Sequence, residues 1–364
     1  MIKQKIAVLC NYELLSERVG GMDYFFWEFD KKCKDNNIQV DWFFPNKSNH
    51  GNYSDLTIYS NTEFSVENYF LSYFKDNKPE YTHIITHFVE LCTPFFYKIK
   101  ELSKAKIIAV DHNPRPLNGY SFKKKVKKKL KGILFSRYTD VFVGVSEYSK
   151  NHLINDFGNH IKSKIKVIPN GVDFSKFKKK TSFIPTNKFI VACHLRKEKG
   201  IQDLILAINE IKKEYNFDFS IDVYGKGYYQ EQLNKMIVDF SLQNIFSFKG
   251  SVSNLNEIYC NYDYLLHPSH GETFCYTVLE SLICNLPVIT TRKEGNVLDL
   301  VKENQNGFLF EVSKIDQLKE ILLKVLNQNY NLENNSVIND NLHTFSLINM
   351  VENYFELVNK NQNL

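Results

Sequence analysis

Residues 268–291 read PSHGETFCYTVLESLICNLPVITT. A short apolar run ahead of them, Tyr264–His267, predicts a strand, and Val288–Thr291, after Pro287, predicts another. The segment between carries helical spacing. Strand, loop, helix and strand in so short a span make a unit of a parallel α/β sheet. Two carboxylates mark it. Glu272 stands at the mouth of the first strand, on the carboxyl edge where open α/β sheets meet their ligands. Glu280 stands eight positions on, two turns down the expected helix and on much the same side. Between them the helix N-terminus offers N–H groups to an anion. A ligand with hydroxyls at each end and a diphosphate in the middle, a nucleotide sugar in outline, suits those three points. A lone pair of glutamates at this spacing is ordinarily an exposed acid followed by an amphipathic helix, so the neighbouring residues decide the matter.

Working outward, strands alternate with helical patterns along the whole chain. Apolar strands are expected at Lys5–Cys10, Gln39–Phe44, His83–Thr86, Lys106–Val110, Val141–Val145 and Lys166–Pro169. A second series is expected at Phe189–Cys193, Ser220–Tyr224 and Ile245–Lys249, ahead of the two strands already named. A helix after Gly20 and Gly21 should run through about Lys34, and another should be capped by Ser146 and stopped by Gly158. Residues 174–188 carry charge and Pro185 without periodicity, which suggests a linker. Residues 327–341 are rich in Asn and suggest a loop, and Phe345–Val358 suggests one amphipathic helix. The expected domains are 1–180 and 186–341.

At 364 residues the chain is too long for one ordinary core. With 43% apolar and 24% charged residues, and 29 Phe and 21 Tyr, it has material for two cores and is not a disordered chain. No apolar run approaches the length of a membrane span. The first residues read as a strand and carry no secretion signal. The seven cysteines are scattered, with no Cys-x-x-Cys pair, which suggests buried thiols in a reducing cytoplasm and no zinc site. No Asp-x-Asp pair occurs, so a metal is not expected to carry the phosphate charge; cationic side chains and a helix N-terminus can do so.

Ser269, Glu272, Phe274, Leu279, Glu280, Pro287, Val288 and Ile289 follow the signature of glycosyltransferase family 4, which the segment resembles. Thr273 and Cys275 replace two of that signature's glycines, and Asn285 replaces a third. Lys199 and Gly200 fall on the family's Lys-Gly pair; His194 occupies the usual arginine position, with Arg196 two residues later. YGKG (224–227) and NGVD (170–173) match further family turns, and NQNGFLF (304–310) matches the family's Asn-Gly-Phe-Leu near the end of the second domain. The resemblance implies an α/β fold of two Rossmann-like domains facing across a cleft (GT-B), with a C-terminal helix, 342–364, crossing back to the first. It implies retaining transfer of a hexose from a nucleotide sugar, UDP-linked by expectation, to a polysaccharide or lipid-linked acceptor, with no separate cofactor.

The resemblance also distributes roles. Glu272, Lys199, Arg196 and His112 are the expected catalytic residues. Glu280, His194, Gly20, Gly21, Gly225, Gly227, Thr273, Phe274, Cys275 and Tyr276 are expected to hold the donor. His112 follows a strand in IIAVDHNPRPLNGY (107–120), where Pro114 and Pro116 stiffen the loop. Asp111 and His87 are its rivals. A sugar phosphorylase or nucleotide-sugar epimerase of the same fold, or an inactive membrane-associated scaffold, are the alternative readings.

One charge feature stands apart. In SFKKKVKKKLKGILF (121–135), Phe122, Val126, Leu130, Ile133 and Leu134 fall on one helical face, and seven lysines occupy the others. Either the stripe packs on the first domain and the lysines are solvated, or the helix meets an anionic membrane. The latter would place the protein peripherally on the inner face of the cell membrane. No motif for nucleic acid accompanies the run.

Overall fold

The computed structural model describes residues 4–16, 19–116, 119–182, 184–298, 300–328 and 342–359. Residues 1–172 and 344–364 form one compact unit, and 173–343 form a second.

The first unit carries strands β1 (Lys5–Cys10), β2 (Gln39–Phe44), β3 (Thr57–Ser60), β4 (His83–His87), β5 (Lys106–Asp111), β6 (Val141–Gly144) and β7 (Ile165–Val167). They form one sheet in the order β3-β2-β1-β4-β5-β6-β7, every pairing parallel. Helices α1 (Gly21–Asp35), α2 (Val66–Asn77), α3 (Pro94–Leu102), α4 (Phe122–Phe135) and α5 (Glu147–Phe157) connect them. The second unit carries β8 (Lys188–Ala192), β9 (Ser220–Tyr224), β10 (Phe246–Gly250), β11 (Tyr264–His267), β12 (Val288–Thr291) and β13 (Gly307–Phe310), in the order β10-β9-β8-β11-β12-β13, again all parallel. Its helices are α6 (Ile201–Glu214), α7 (Gln230–Asp239), α8 (Leu255–Ile258), α9 (Tyr276–Ile283), α10 (Glu294–Val297) and α11 (Ile315–Leu326), and α12 (Leu347–Val358) returns to the first unit.

The central strands are buried on both faces, which is why they read as unbroken apolar runs. Phe43, Phe70, Phe96 and Phe142 fill one core of the first unit; Ile190's neighbours Phe189 and Val191, with Leu204 and Ile208, fill that of the second. Ser146 caps α5 through a bond from the Ser149 N–H at 3.2 Å, and Gly158 ends it at φ +117°. Ser346 caps α12 in the same way. That helix is fixed by the Val172–Ser346 bridge, by Gln4 donating to the Val358 carbonyl at 2.5 Å, and by the Lys32–Glu352 ion pair with α1.

Strand ends depart from expectation by a residue or two, as frayed ends do. β3 and β13 are not among the expected strands: β3 is a short, half-exposed edge, and GFLF is expected only as part of a family motif. The charged stretch 174–188 is no free linker along its described part. The Lys178 and Lys180 N–H groups donate to the Asn256 and Cys284 carbonyls, and the Lys180 ammonium pairs with Asp263 at 3.0 Å, all within the second unit. Of the Asn-rich stretch 327–341, residues 329–341 lie outside the described residues.

Candidate active site

Each sheet reverses its strand order once, between β1 and β4 in the first unit and between β8 and β11 in the second. Such switch points leave a crevice at the carboxyl ends of the strands. The loops that follow these four strands hold most of the expected site residues.

In the second unit, the loop after β8 turns through Gly200 at φ +70° and packs against the loop after β11; a Cβ at Gly200 would strike the Pro268 carbonyl. This close approach brings Lys199 onto Glu272, whose Oε1 accepts from the Lys199 ammonium. The same carboxylate accepts from the Ser269 hydroxyl at 3.1 Å and has His267 Nε2 at 3.6 Å. Burial alone would raise the Glu272 carboxyl, but His267 and Lys199 outweigh it and hold it down to about 2. Burial would likewise lower Lys199, yet Glu272 keeps it above its ordinary value. His267 is pushed up to about 9, because Cys275 and Glu272 overcome the cost of burial. Its Nδ1 bonds the Thr290 hydroxyl at 2.8 Å and its Nε2 lies 3.2 Å from Cys275 Sγ. At neutral pH the centre therefore holds one carboxylate and two cations. Asn296 buttresses it from below, donating to the Ser269 carbonyl at 2.9 Å.

Helix α9 begins at Tyr276, so Glu272 lies ahead of it and not on it. Glu272 thus lies at the strand mouth as expected, but Glu280 is not two turns down the helix: residues 273–275 are non-helical, and Glu280 is only the fifth residue of α9. Glu280 is half-buried and bonded by the Tyr259 hydroxyl at 3.1 Å. Burial pushes its carboxyl up to about 7, against the opposing pull of Tyr259. Thr273, Phe274 and Cys275 are buried, and Tyr276 is half-buried with its ring edge-on to Phe274. Arg196 and His194 are exposed in the loop that carries Lys199. At Gly225, φ is +122° and a Cβ would strike the Cys193 carbonyl; at Gly227 it would strike that of Leu195. Packing of two loops thus requires a residue without Cβ at both positions.

In the first unit, His112 Nε2 lies 2.9 Å from His87 Nδ1, and its ring stacks on Phe88 with centroids 4.2 Å apart. Burial pushes His112 down to about 3 and His87 well below its ordinary value, so both rings are neutral and the bond needs one proton between them. The two histidines expected as rivals are one pair. Asp111 is committed elsewhere: it holds Arg115, which also bonds Asp156 at 2.9 Å. Gly20 caps α1 in extended conformation, its N–H donating to Asp23 at 2.9 Å, and a Cβ there would meet only open space. Gly21 opens the helix. Asp23 is fully buried and also accepts from Tyr12 at 3.0 Å and Tyr53 at 2.6 Å.

Of the two expectations for helix α4, the structure removes the first. The apolar stripe does not pack on the unit: Phe122 is 80% exposed, Val126 41%, Leu130 53%, Ile133 65% and Leu134 53%. The side facing the protein is that of Lys128, Lys131, Gly132 and Phe135. Lys128 bonds Asp156 at 3.0 Å, Lys131 pairs with Glu90, and Gly132 lies against the Phe157 backbone. Among the described residues no helix is long and apolar enough to cross a membrane.

Two all-parallel sheets in two units make a two-domain α/β chain whose fold is that of solved GT-B glycosyltransferases. The model for glycosyl transferases group 1 matches residues 173–341, and that for glycosyltransferase family 4 matches 19–176. Between them the two models cover residues 19–341, and the chain belongs to the glycosyltransferases that they describe. It is 28% identical over 207 residues to an uncharacterised glycosyltransferase of Methanocaldococcus jannaschii, a match covering 56% of this chain and only 55% of that protein. A second from the same organism is 24% identical over 362 residues, 90% of this chain and 91% of the relative. Among solved structures, Anabaena HepE in complex with UDP superposes with a TM-score of 0.74 at 17% identity, over 98% of this chain and 99% of that one. HepE has also been solved with UDP-glucose.

Sequence reasoning missed His267 and Tyr259. A histidine closing an apolar strand reads as core, and nothing in the linear order joins it to Cys275 and Thr290.

Proposed function

We propose that the protein transfers a hexose with retention from a UDP-sugar to a saccharide or lipid-linked acceptor. The observation that carries this reading is the Glu272 carboxylate, kept ionised by Lys199 and His267 at the switch point of the second sheet. Glu272 binds sugar hydroxyls, and Glu280 takes the ribose diol beyond the first turn of α9, whose N–H groups face the diphosphate. In the reaction the bond from the anomeric carbon to the β-phosphate oxygen breaks. The acceptor hydroxyl oxygen bonds to that carbon, and its proton passes to the departing phosphate, so no separate enzyme base is needed. Charge grows on the diphosphate as it leaves. Lys199 has three N–H donors and can keep Glu272 while stabilising that charge, with Arg196 reaching in from the same loop. Neutral His112 offers a hydrogen bond to a sugar hydroxyl in the first unit. HepE binding UDP and UDP-glucose favours uridine as the base. A centre that holds a part-buried carboxylate between two cations, at a cost in desolvation, argues against an inert scaffold. The test is a panel of nucleotide sugars scored for nucleotide release, followed by mass analysis of the product; release from none of them would end this reading.

We also infer that α4 seats the enzyme on an anionic lipid surface at the inner face of the cell membrane. At about 100° per residue, Lys123 falls within the exposed apolar stripe, Lys127 borders it on one side, and Lys125 and Lys129 border it on the other. Apolar groups can enter the lipid while the ammonium groups snorkel to the phosphates, each lysine contributing about 1 kcal/mol. Seven free cysteines suit a reducing cytoplasm. Flotation with anionic vesicles should show binding at low salt and release at 1 M, where the Debye length is about 3 Å. Changing Lys123, Lys125 and Lys127 to Gln should weaken binding while leaving the Lys128–Asp156 contact intact. Wild-type protein that ignores such vesicles at low salt would refute the inference.

A further inference from the structure

Three potential metal ligands of different chemistry converge at the end of β11. His267 Nε2, a Glu272 carboxylate oxygen and Cys275 Sγ all lie within 4.8 Å of one another. Two of the separations are 3.2 Å, nitrogen to sulfur, and 3.6 Å, nitrogen to oxygen. Zinc holds such atoms at about 2.0–2.3 Å in tetrahedral array, which sets its ligands about 3.3–3.7 Å apart. The imidazole is already oriented for the task. Its Nδ1 is engaged by Thr290 at 2.8 Å, which aims Nε2 at the other two ligands, as an outer partner does in zinc sites. Glu272 and Lys199 are part-exposed and give the site its opening, while His267 and Cys275 are buried. The sulfur is this chain's own contribution, since Cys275 stands where the family signature has glycine.

We propose that His267, Glu272 and Cys275 form a capture site for a thiophilic divalent cation of the zinc class, and that its binding shuts the donor site. The cation takes the Glu272 carboxylate, and the Cys275 thiol and the His267 imidazolium each release a proton to solvent as the sulfur–metal and Nε2–metal bonds form. The fourth position is left to water or the Ser269 hydroxyl, which is 3.1 Å from Glu272. The soft sulfur selects against magnesium. The Lys199 ammonium opposes the incoming charge, so this is an inhibitory site weaker than a structural zinc centre. That inhibition rests on the role assigned above to Glu272, whereas the capture itself does not.

Chelator-stripped protein should be titrated with cobalt(II) as a spectroscopic stand-in for zinc. One equivalent should bind with a thiolate-to-cobalt charge-transfer band, displaced by zinc and unaffected by magnesium. Cys275→Ser should abolish the band, and His267→Gln should weaken binding by at least about 10-fold. Lys199→Ala should tighten it. The Lys199 variant keeps all three ligands, so the proposal stays testable if either ligand variant fails to fold. No bound cobalt, a charge-transfer band that survives in Cys275→Ser, or an unchanged affinity in Lys199→Ala overturns the capture site. Zinc that binds while nucleotide release continues overturns the shut-off. Zinc that binds to a protein releasing no nucleotide from any donor leaves the capture standing and removes the transferase reading.

Discussion

The two switch points occupy the same place in their sheets and have opposite electrostatics. In the second unit a carboxylate lies between two cations: Glu272 is held down to about 2, and His267 is pushed up to about 9. In the first unit burial keeps the histidine pair uncharged: His112 is pushed down to about 3 and shares a proton with His87. The difference is one of partners more than of burial. His267 is as enclosed as His87, but it has an acid and a thiol beside it, where His87 has only a second imidazole. A topology thus fixes where a site forms, and the side chains delivered there decide its chemistry. Fixed charge suits a group that develops charge as it departs. A neutral pair suits hydroxyls that must be bonded without attracting the diphosphate.

This contrast can be broken by substitution, with the largest effect expected at the charged centre. Lys199→Ala removes the cation nearest the departing phosphate and should cost about 10²–10³-fold in kcat, with a much smaller change in affinity for UDP. Turnover near wild type would show that the loop bearing Lys199 is structural. Glu280→Gln should lose about 2–4 kcal/mol of uridine or UDP binding, the size of two charge-assisted hydrogen bonds.

A pH series sharpens the Glu280 assignment. Its carboxyl titrates near 7 in the empty protein, well above the ordinary value of about 4.3. It is neutral below that pH and ionised above, so uridine, which has the diol and no phosphate, should bind more tightly at pH 8 than at pH 6. Calorimetry should find that rise in wild type and not in Glu280→Gln. The smallest effect belongs to the neutral pair. His112→Ala should cost about 0.5–1.5 kcal/mol of turnover, leave UDP affinity unchanged, and alter no titration between pH 5 and 8. A pH–rate limb in that window that disappears with His112 would contradict the neutral assignment.

Much of this architecture was legible in sequence because parallel strands buried on both faces are written as short apolar runs between turn residues. Ser146 with Gly158, and the helix ending at Val358, could be placed from capping chemistry and periodicity alone. Glu272, Glu280 and Lys199 were legible as motif residues. Their partners were not. The Gly200 turn brings Lys199 across 73 residues to Glu272, and Thr290 reaches His267 across 23. No local pattern encodes such a contact. The start of α9 was misplaced because residues 273–275 carry helical spacing yet are not helical, and the Cys275 N–H donates to the Gly295 carbonyl. The orientation of α4 was equally illegible. Its apolar face satisfies the rule for a buried stripe, and only Gly132 against Phe157, with Lys128 on Asp156, turns it outward.

The central claim is that the ionised Glu272 handles the sugar while Glu280 handles the nucleotide. Glu272→Gln tests it most directly, with UDP affinity and UDP release from the donor sugar measured on the same preparation. The account predicts UDP affinity close to wild type and release reduced by about 10²-fold or more. A parallel fall in both, or release at the wild-type rate, would contradict it.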